Sequence, residues 1–157
     1  MPLIDRSTER NPLSDMVIDI VWRVWSNAKA ETAKGWRFIT IDRRLGFWSE
    51  EECNTPWEAI ELEAYPKSSD PEYNYLMPTY HLKVAINHVE KTLDWSLLRE
   101  RFADDDWDGV HAEKHNLDGL STADIFMLAE RVAAEALERL RKAQQDHEVE
   151  YGTAAEA

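Results

Sequence analysis

The pattern of apolar and polar positions predicts a long helix near the N-terminus. Ser14 is a suitable N-cap and Gly35 a suitable end for it. Ile18 and Trp22 widen its apolar sector, so this helix packs on two sides or presents Trp22 to a partner; burial in the core is the expected fate of Trp22 and Trp25. The positions with the i, i+3, i+4, i+7 spacing of a buried helix face are Val17, Ile20, Val21, Val24, Trp25 and Ala28.

A second long helix is predicted near the C-terminus, from Ser121 to about residue 146. Charged side chains surround its apolar stripe, as expected for a helix with one face in solvent. We expect residues 1–147 to form a single globular domain and residues 148–157 a flexible tail. The stripe consists of Ile125, Leu128, Ala129, Val132, Ala133, Ala136, Leu137 and Leu140.

The segments between these helices predict shorter helices and a minor β element. Residues 36–41, WRFITI, are typical of a strand that returns as a short hairpin up to residue 48. The run Thr55-Pro56-Trp57-Glu58 has the composition of a helix N-terminus. The expected fold is therefore mainly α, a small helical bundle with long terminal helices and a short strand or hairpin near 36–48. The shorter helices are expected at 49–53, 56–64, 80–92 and 95–102, with a long irregular loop at 66–79.

Length and composition favour one cytoplasmic domain. The 157 residues contain no apolar run of the roughly 18 residues that a membrane-spanning helix needs, and the N-terminus lacks the apolar core of a signal peptide. The only cysteine, Cys53, has no partner for an internal disulfide, which agrees with a reducing compartment. We expect no membrane association.

Net charge narrows the choice of partner. The chain has 31 acidic and 18 basic residues, a formal net charge of −13. Residues 49–80 alone hold eight acidic side chains and one basic side chain. Direct binding to nucleic acid needs a basic surface, which this distribution does not favour. An acidic surface instead attracts basic protein surfaces.

The best chemical signal lies in residues 103–115, ADDDWDGVHAEKH. Its DDDWDG run resembles the first half of a calcium loop of the EF-hand type, which implies oxygen ligands from Asp104, Asp106 and Asp108. The resemblance ends there, because His115 stands where that loop has its bidentate glutamate and His111 where it has an apolar residue. An acidic loop is the expected structure of this segment.

A zinc site is the alternative for the same loop. His111 and His115 are four residues apart and could chelate one ion from a helical turn, with Asp108 as a third ligand. Ala112 stands where zinc proteases carry a catalytic glutamate, so the pattern is weak. We expect neither a metal nor a cofactor; if a metal binds, the candidate ligands are Asp104, Asp106, Asp108, His111 and His115.

The sequence carries no nucleophile motif and no phosphate-binding loop. Cys53 lies in an acidic segment, which opposes thiolate formation. We therefore expect a non-enzymatic acidic protein that binds another protein. Its most specific form is an inhibitor whose carboxylates mimic nucleic acid on a basic surface, as small anti-restriction and anti-CRISPR proteins of mobile elements do, an analogy that rests on charge and size.

Two other functions stay open, a metal-dependent hydrolase or calcium module using residues 104–115, and a structural subunit that assembles with its own copies or another chain. The candidate partner-binding residues combine the acidic clusters with the surplus aromatic side chains. They are Glu50, Glu51, Glu52, Glu58, Glu61, Glu63, Asp104, Asp105, Asp106, Asp108, Trp22, Tyr73 and Tyr75.

Overall fold

The fold is a five-stranded antiparallel sheet with a long helix before it and another after it. The computed structural model describes residues 12–32, 36–46, 57–66, 72, 76–101 and 106–151. The strands lie in the sheet in chain order, so each is paired with its neighbours in sequence. The elements are α1 (Pro12–Thr32), β1 (Trp36–Gly46), β2 (Trp57–Pro66), β3 (Thr79–Asn87), β4 (Thr92–Arg101), β5 (Asp106–Asn116) and α2 (Thr122–Tyr151).

The prediction of a mainly α bundle is wrong. The two terminal helices and the strand near residue 36 were placed correctly, whereas the helices predicted at 56–64, 80–92 and 95–102 are strands β2, β3 and β4. The helix predicted at 49–53 lies outside the described residues. Residues 106–116 form strand β5 and are not part of an acidic loop.

Apolar side chains recur at every second position of β3 and β4, and some of the same positions also fit helical spacing. Leu82, Ala85, Ile86 and Val89 satisfy a helix face, but the buried apolar side chains of β3 are at every second position, at Tyr80, Leu82, Val84 and Ile86. Side chains of successive strand residues point to opposite faces, so this alternation places one apolar row against the core.

Strand β2 overrides a local helix signal. Thr55 and Pro56 lie outside the described residues, and from Trp57 onward the chain pairs with β1 and β3. Ile60, Leu62 and Ala64 are buried on one face while glutamates alternate on the other. Pairing on both sides satisfies the backbone, and this tertiary context outweighs the cap.

The β3–β4 turn shows why no helix spans residues 80–92. The side-chain oxygen Oδ1 of Asn87 accepts hydrogen bonds from the backbone N–H groups of Val89 and Glu90, both at 3.0 Å. Lys91 has a φ of 53°, the left-handed region. Together they reverse the chain into β4.

Both described helices pack on the same face of the sheet. The predicted stripe of α1 is confirmed as core, with Ile20, Val24 and Ala28 fully buried. Trp22 is an exception, because 62% of its surface is exposed, so its predicted burial is wrong. Trp25 is half-buried at the margin of the core.

The predicted stripe of α2 is also confirmed, with Ile125, Leu128 and Leu137 only partly buried. Ser121 caps this helix: its Oγ accepts from the Asp124 N–H at 3.1 Å, and the Asp124 carboxylate accepts from the Ser121 N–H at 3.3 Å. The helix extends to Tyr151, into the segment expected as a tail. Neither described helix combines the length and apolar character needed to cross a bilayer.

Candidate functional site

An apolar groove runs between α1 and the β1–β2 side of the sheet. We call it the α1 groove, and it has a volume of about 300 Å³. Helix α1 supplies one wall because Ile18 and Trp22 lie off its buried stripe, and β1 and β2 supply the other. Thr40 contributes a hydroxyl to an otherwise apolar lining. The lining consists of Ile18, Val21, Trp22, Trp25, Phe38, Thr40 and Ile60.

Trp22 is the most prominent feature of the α1 groove. Its ring contacts that of Trp25 with centroids 5.1 Å apart and planes 31° apart. Trp25 packs against the core, so Trp22 contacts a packed side chain although most of its own surface is exposed. An exposed, supported tryptophan is typical of a binding anchor.

A second groove lies on the other side of α1, between the N-terminal halves of the two helices. This interhelical groove has a volume of about 400 Å³, and Phe126 on its rim is 53% exposed. The Arg23 guanidinium lies over the Phe126 ring at 5.5 Å and is paired with Asp19 at 2.9 Å. The lining consists of Pro12, Asp15, Met16, Asp19, Thr122, Ile125, Phe126 and Ala129.

The predicted acidic residues do not form one exposed cluster within the described parts of the chain. Glu58 is buried on β2: its Oε1 accepts a hydrogen bond from Ser14 Oγ at 3.0 Å and lies 3.4 Å from His88 Nε2. Glu58 therefore fixes the start of α1 and the β3–β4 turn to the sheet. Asp108 is exposed but paired with Arg99 at 2.8 Å.

Several predicted partner-binding residues fall in the parts of the chain that the structure does not describe. These residues are Glu50, Glu51, Glu52, Tyr73, Tyr75, Asp104 and Asp105. Asp106 begins β5, opposite Arg101.

Strand β5 separates the histidines that were predicted as a zinc pair. Residues four apart in a strand are about 13 Å apart along the backbone, whereas the chelation hypothesis needs a helical turn. Glu113 lies between them, with its two oxygens 3.4 Å from His111 Nε2 and 3.7 Å from His115 Nε2. Among the described residues, these histidines and Asp108 do not converge on one metal position.

Glu113 serves instead as a structural acceptor at this position. Its Oε2 accepts a 2.8 Å hydrogen bond from the Trp95 indole N–H. Partial burial acts to raise the pKa of Glu113, but hydrogen bonds from His111 and Trp95 outweigh it and hold the pKa below its ordinary value. Glu113 therefore stays ionised and joins β5 to β4.

The opposite face of the sheet carries a different group of polar side chains. This sheet-face cluster consists of Glu61 and Glu63 on β2, His81 on β3 and Glu100 on β4. His81 Nε2 lies 2.9 Å from Glu100 Oε2, and its Nδ1 lies 3.5 Å from Glu63 Oε1. His81 is only 7% exposed, so a buried imidazole lies between two carboxylates.

A second buried histidine lies between α2 and the sheet. His147 on α2 is 1% exposed, and its Nδ1 lies 3.1 Å from the Tyr80 hydroxyl. Burial lowers the pKa of His147 to about 4; Glu150 opposes this shift and Arg99 adds to it. Burial likewise raises the pKa of the Tyr80 hydroxyl, against the effect of Arg99. Both groups are neutral at pH 7.

Sequence reasoning identified Trp22 but missed other parts of these surfaces. Phe126 and Met127 are exposed, and both are apolar residues outside the predicted stripe of α2. Their positions in the sequence therefore indicated exposed apolar surface. The sheet-face cluster had no such signal, because Glu63 and His81 become neighbours only through the pairing of β2 with β3. No family model matches the chain, and the searches of curated proteins and of solved structures gave no match either.

Proposed function

We propose that this protein is a non-enzymatic binding protein that docks a basic amphipathic segment of another protein along α1. The observation that carries the proposal is the 62% exposed Trp22, held by Trp25 at the rim of an apolar groove. Tryptophan is among the residue types that supply most of the binding energy in protein complexes. An amphipathic helix laid into a groove is one established form of such recognition.

Charge supports a basic partner over a second copy of the chain. The net charge is −13, so two copies brought together repel each other, whereas a basic segment is attracted. Asp15 lines the interhelical groove together with Phe126, which places a carboxylate beside apolar surface, whereas Asp19 in the same lining is paired with Arg23. A segment with aliphatic side chains on one face and lysine or arginine on its flank complements both features.

The predicted partner is still a protein, but the binding surface is the apolar surface of α1 and not the acidic clusters. Of the acidic side chains first considered, Glu58 is buried and Asp108 is paired with Arg99, so neither supports nucleic-acid mimicry. The exposed apolar surface of α1 is the stronger argument. Hydrolysis through Asp108, His111 and His115 has no converging geometry to support it.

A display selection with random peptides tests the proposal while the natural partner is still unidentified. The immobilised full chain serves as one bait, and the Trp22→Ser and Val149→Ser variants serve as parallel baits. Val149 is a matched control, because it is an exposed apolar residue on the last turns of α2. We expect the unmodified chain and Val149→Ser to enrich peptides with apolar residues at helical spacing and a net positive charge.

Two results would contradict the proposal. One is enrichment of the same peptides by the Trp22→Ser bait. The other is sedimentation of the unmodified chain as a dimer that Trp22→Ser converts to a monomer, because the α1 groove would then be covered by a second copy.

A further inference from the structure

The sheet-face cluster has the donor set of a metal site. Glu61 and Glu63 alternate on β2 and point to the face away from the helices, and His81 is the register partner of Glu63 on β3. One ligand atom from each of Glu61, Glu63 and His81 lies within 4.8 Å of the other two. Carboxylate oxygens and an imidazole nitrogen at this separation suit a divalent transition metal.

Glu100 supplies a second, independent feature of a metal site. Histidines that bind metals usually donate their other ring N–H to a carboxylate, which fixes the tautomer and the ring orientation. At His81 a carboxylate lies near each ring nitrogen: Nε2 is 2.9 Å from Glu100 Oε2, and Nδ1 is 3.5 Å from Glu63 Oε1. In a neutral His81 protonated at Nε2, the unprotonated Nδ1 is the ring nitrogen on the side of Glu63.

Burial and charge are consistent with a bound cation. His81 and Glu100 are both buried, whereas Glu61 and Glu63 are half-buried, so water reaches the cluster from the side of β2. Lys83 is the register partner of Glu61. A divalent cation would neutralise the charges of the two ligand carboxylates.

We propose that Glu61, Glu63 and His81 bind one divalent ion of the zinc class, with Glu100 as the residue that orients His81. Three protein ligands leave one tetrahedral position for water or a ligand. The site is on the opposite face of the sheet from the α1 groove, so its occupancy does not depend on partner binding. Its ligands also differ from the candidate ligands predicted in residues 104–115.

Equilibrium dialysis of the chelator-treated full chain against Zn²⁺ tests the site, with bound metal measured by elemental analysis. We expect one equivalent for the unmodified chain and a loss of affinity of at least about tenfold for Glu63→Gln and His81→Gln. Glu100→Gln should also weaken binding by about 10- to 100-fold, the usual effect of removing an orienting carboxylate. His111→Gln is the matched control, because it changes a histidine on the other face of the sheet and should bind as the unmodified chain does.

Circular dichroism of the metal-free variants checks that a loss of metal binding is not a loss of folding. Glu63→Gln retains the side-chain volume and should retain the fold. Stoichiometry far below one equivalent for the folded chain would overturn the proposal. Equal affinity in the unmodified chain and in folded Glu63→Gln would do so as well. Neither result would affect the peptide selection, which tests the α1 groove separately.

Discussion

Each face of the sheet buries one histidine, and the two have opposite surroundings. His147 lies beneath the helices, with its Nδ1 3.1 Å from the neutral Tyr80 hydroxyl. His81 lies on the other face, between the carboxylates of Glu63 and Glu100. The same strands therefore place one buried histidine among aromatic rings and the other between carboxylates.

The comparison shows that the neighbours of a buried imidazole decide what it can do. Aromatic rings surround His147, and the centroid of Trp36 lies 5.1 Å from its ring. Its pKa of about 4 keeps it neutral, so it contributes packing and one hydrogen bond. His81 instead has oxygen acceptors near both ring nitrogens, the arrangement from which a metal ligand is built.

The largest expected effect on stability distinguishes the two faces of the sheet, and two adjacent leucines of β4 test it. Leu97 is fully buried on the helix side of β4, whereas Leu98 is half-buried on the opposite side. Leu97→Ala should lower the free energy of unfolding by about 2–5 kcal/mol, the range for truncation of a buried leucine. Leu98→Ala should cost less than half as much, measured by urea denaturation of both variants. Equal losses would mean that the outer face is packed as tightly as the core.

The next largest effect is the pH dependence caused by His147. Its folded-state pKa of about 4 is below the unfolded value, so the unfolded chain binds the proton more tightly. The stability contribution is fully present above pH 6.5 and is lost as the pH falls toward 4. A pKa difference of this size lowers the free energy of unfolding by about 3 kcal/mol between pH 7 and pH 4.

The His147→Gln variant isolates this effect from other titrating groups. The difference in unfolding free energy between the unmodified chain and His147→Gln should shrink by about 3 kcal/mol between pH 7 and pH 4. Urea denaturation at several pH values measures this difference. A constant difference would show that His147 is not the group responsible.

A smaller effect is expected for the hydrogen bond between Tyr80 and His147. Tyr80→Phe removes the hydroxyl but retains the ring that packs against Trp36 and His147. We expect a loss of about 1 kcal/mol, typical of a single hydrogen bond. Thermal unfolding of the variant checks this value, and a loss near 4 kcal/mol would mean that the ring packing depends on the hydroxyl.

The sequence allowed prediction of the two terminal helices because their apolar stripes persist over several turns. It did not allow prediction of the sheet, because Leu82, Ala85, Ile86 and Val89 fit helical spacing while Leu82, Val84 and Ile86 also fit strand alternation. Hydrogen bonding to neighbouring strands decides between helix and strand here. That pairing depends on segments far apart in the sequence, so a local pattern does not show it. The sheet-face cluster was unpredictable for the same reason, whereas Trp22 was visible within one helix.

The smallest stability effect is expected on the outer surface of α1. Trp22 is mostly exposed, so Trp22→Ser should change the unfolding free energy by no more than about 0.5 kcal/mol, as surface substitutions usually do. Urea denaturation measures this change. A large loss of stability would place Trp22 among the residues that hold the fold and remove the reason to regard it as a binding anchor.

Calorimetric titration of one enriched peptide into the unmodified chain, Trp22→Ser and Val149→Ser tests protein binding along α1 most directly. We expect Trp22→Ser to weaken binding by at least about tenfold, the effect of losing an anchor that contributes more than about 1.4 kcal/mol. Val149→Ser should bind as the unmodified chain does, and affinity should fall as salt rises, because the basic flank of the peptide is screened. Equal affinity of the peptide for the unmodified chain and Trp22→Ser would contradict docking along α1.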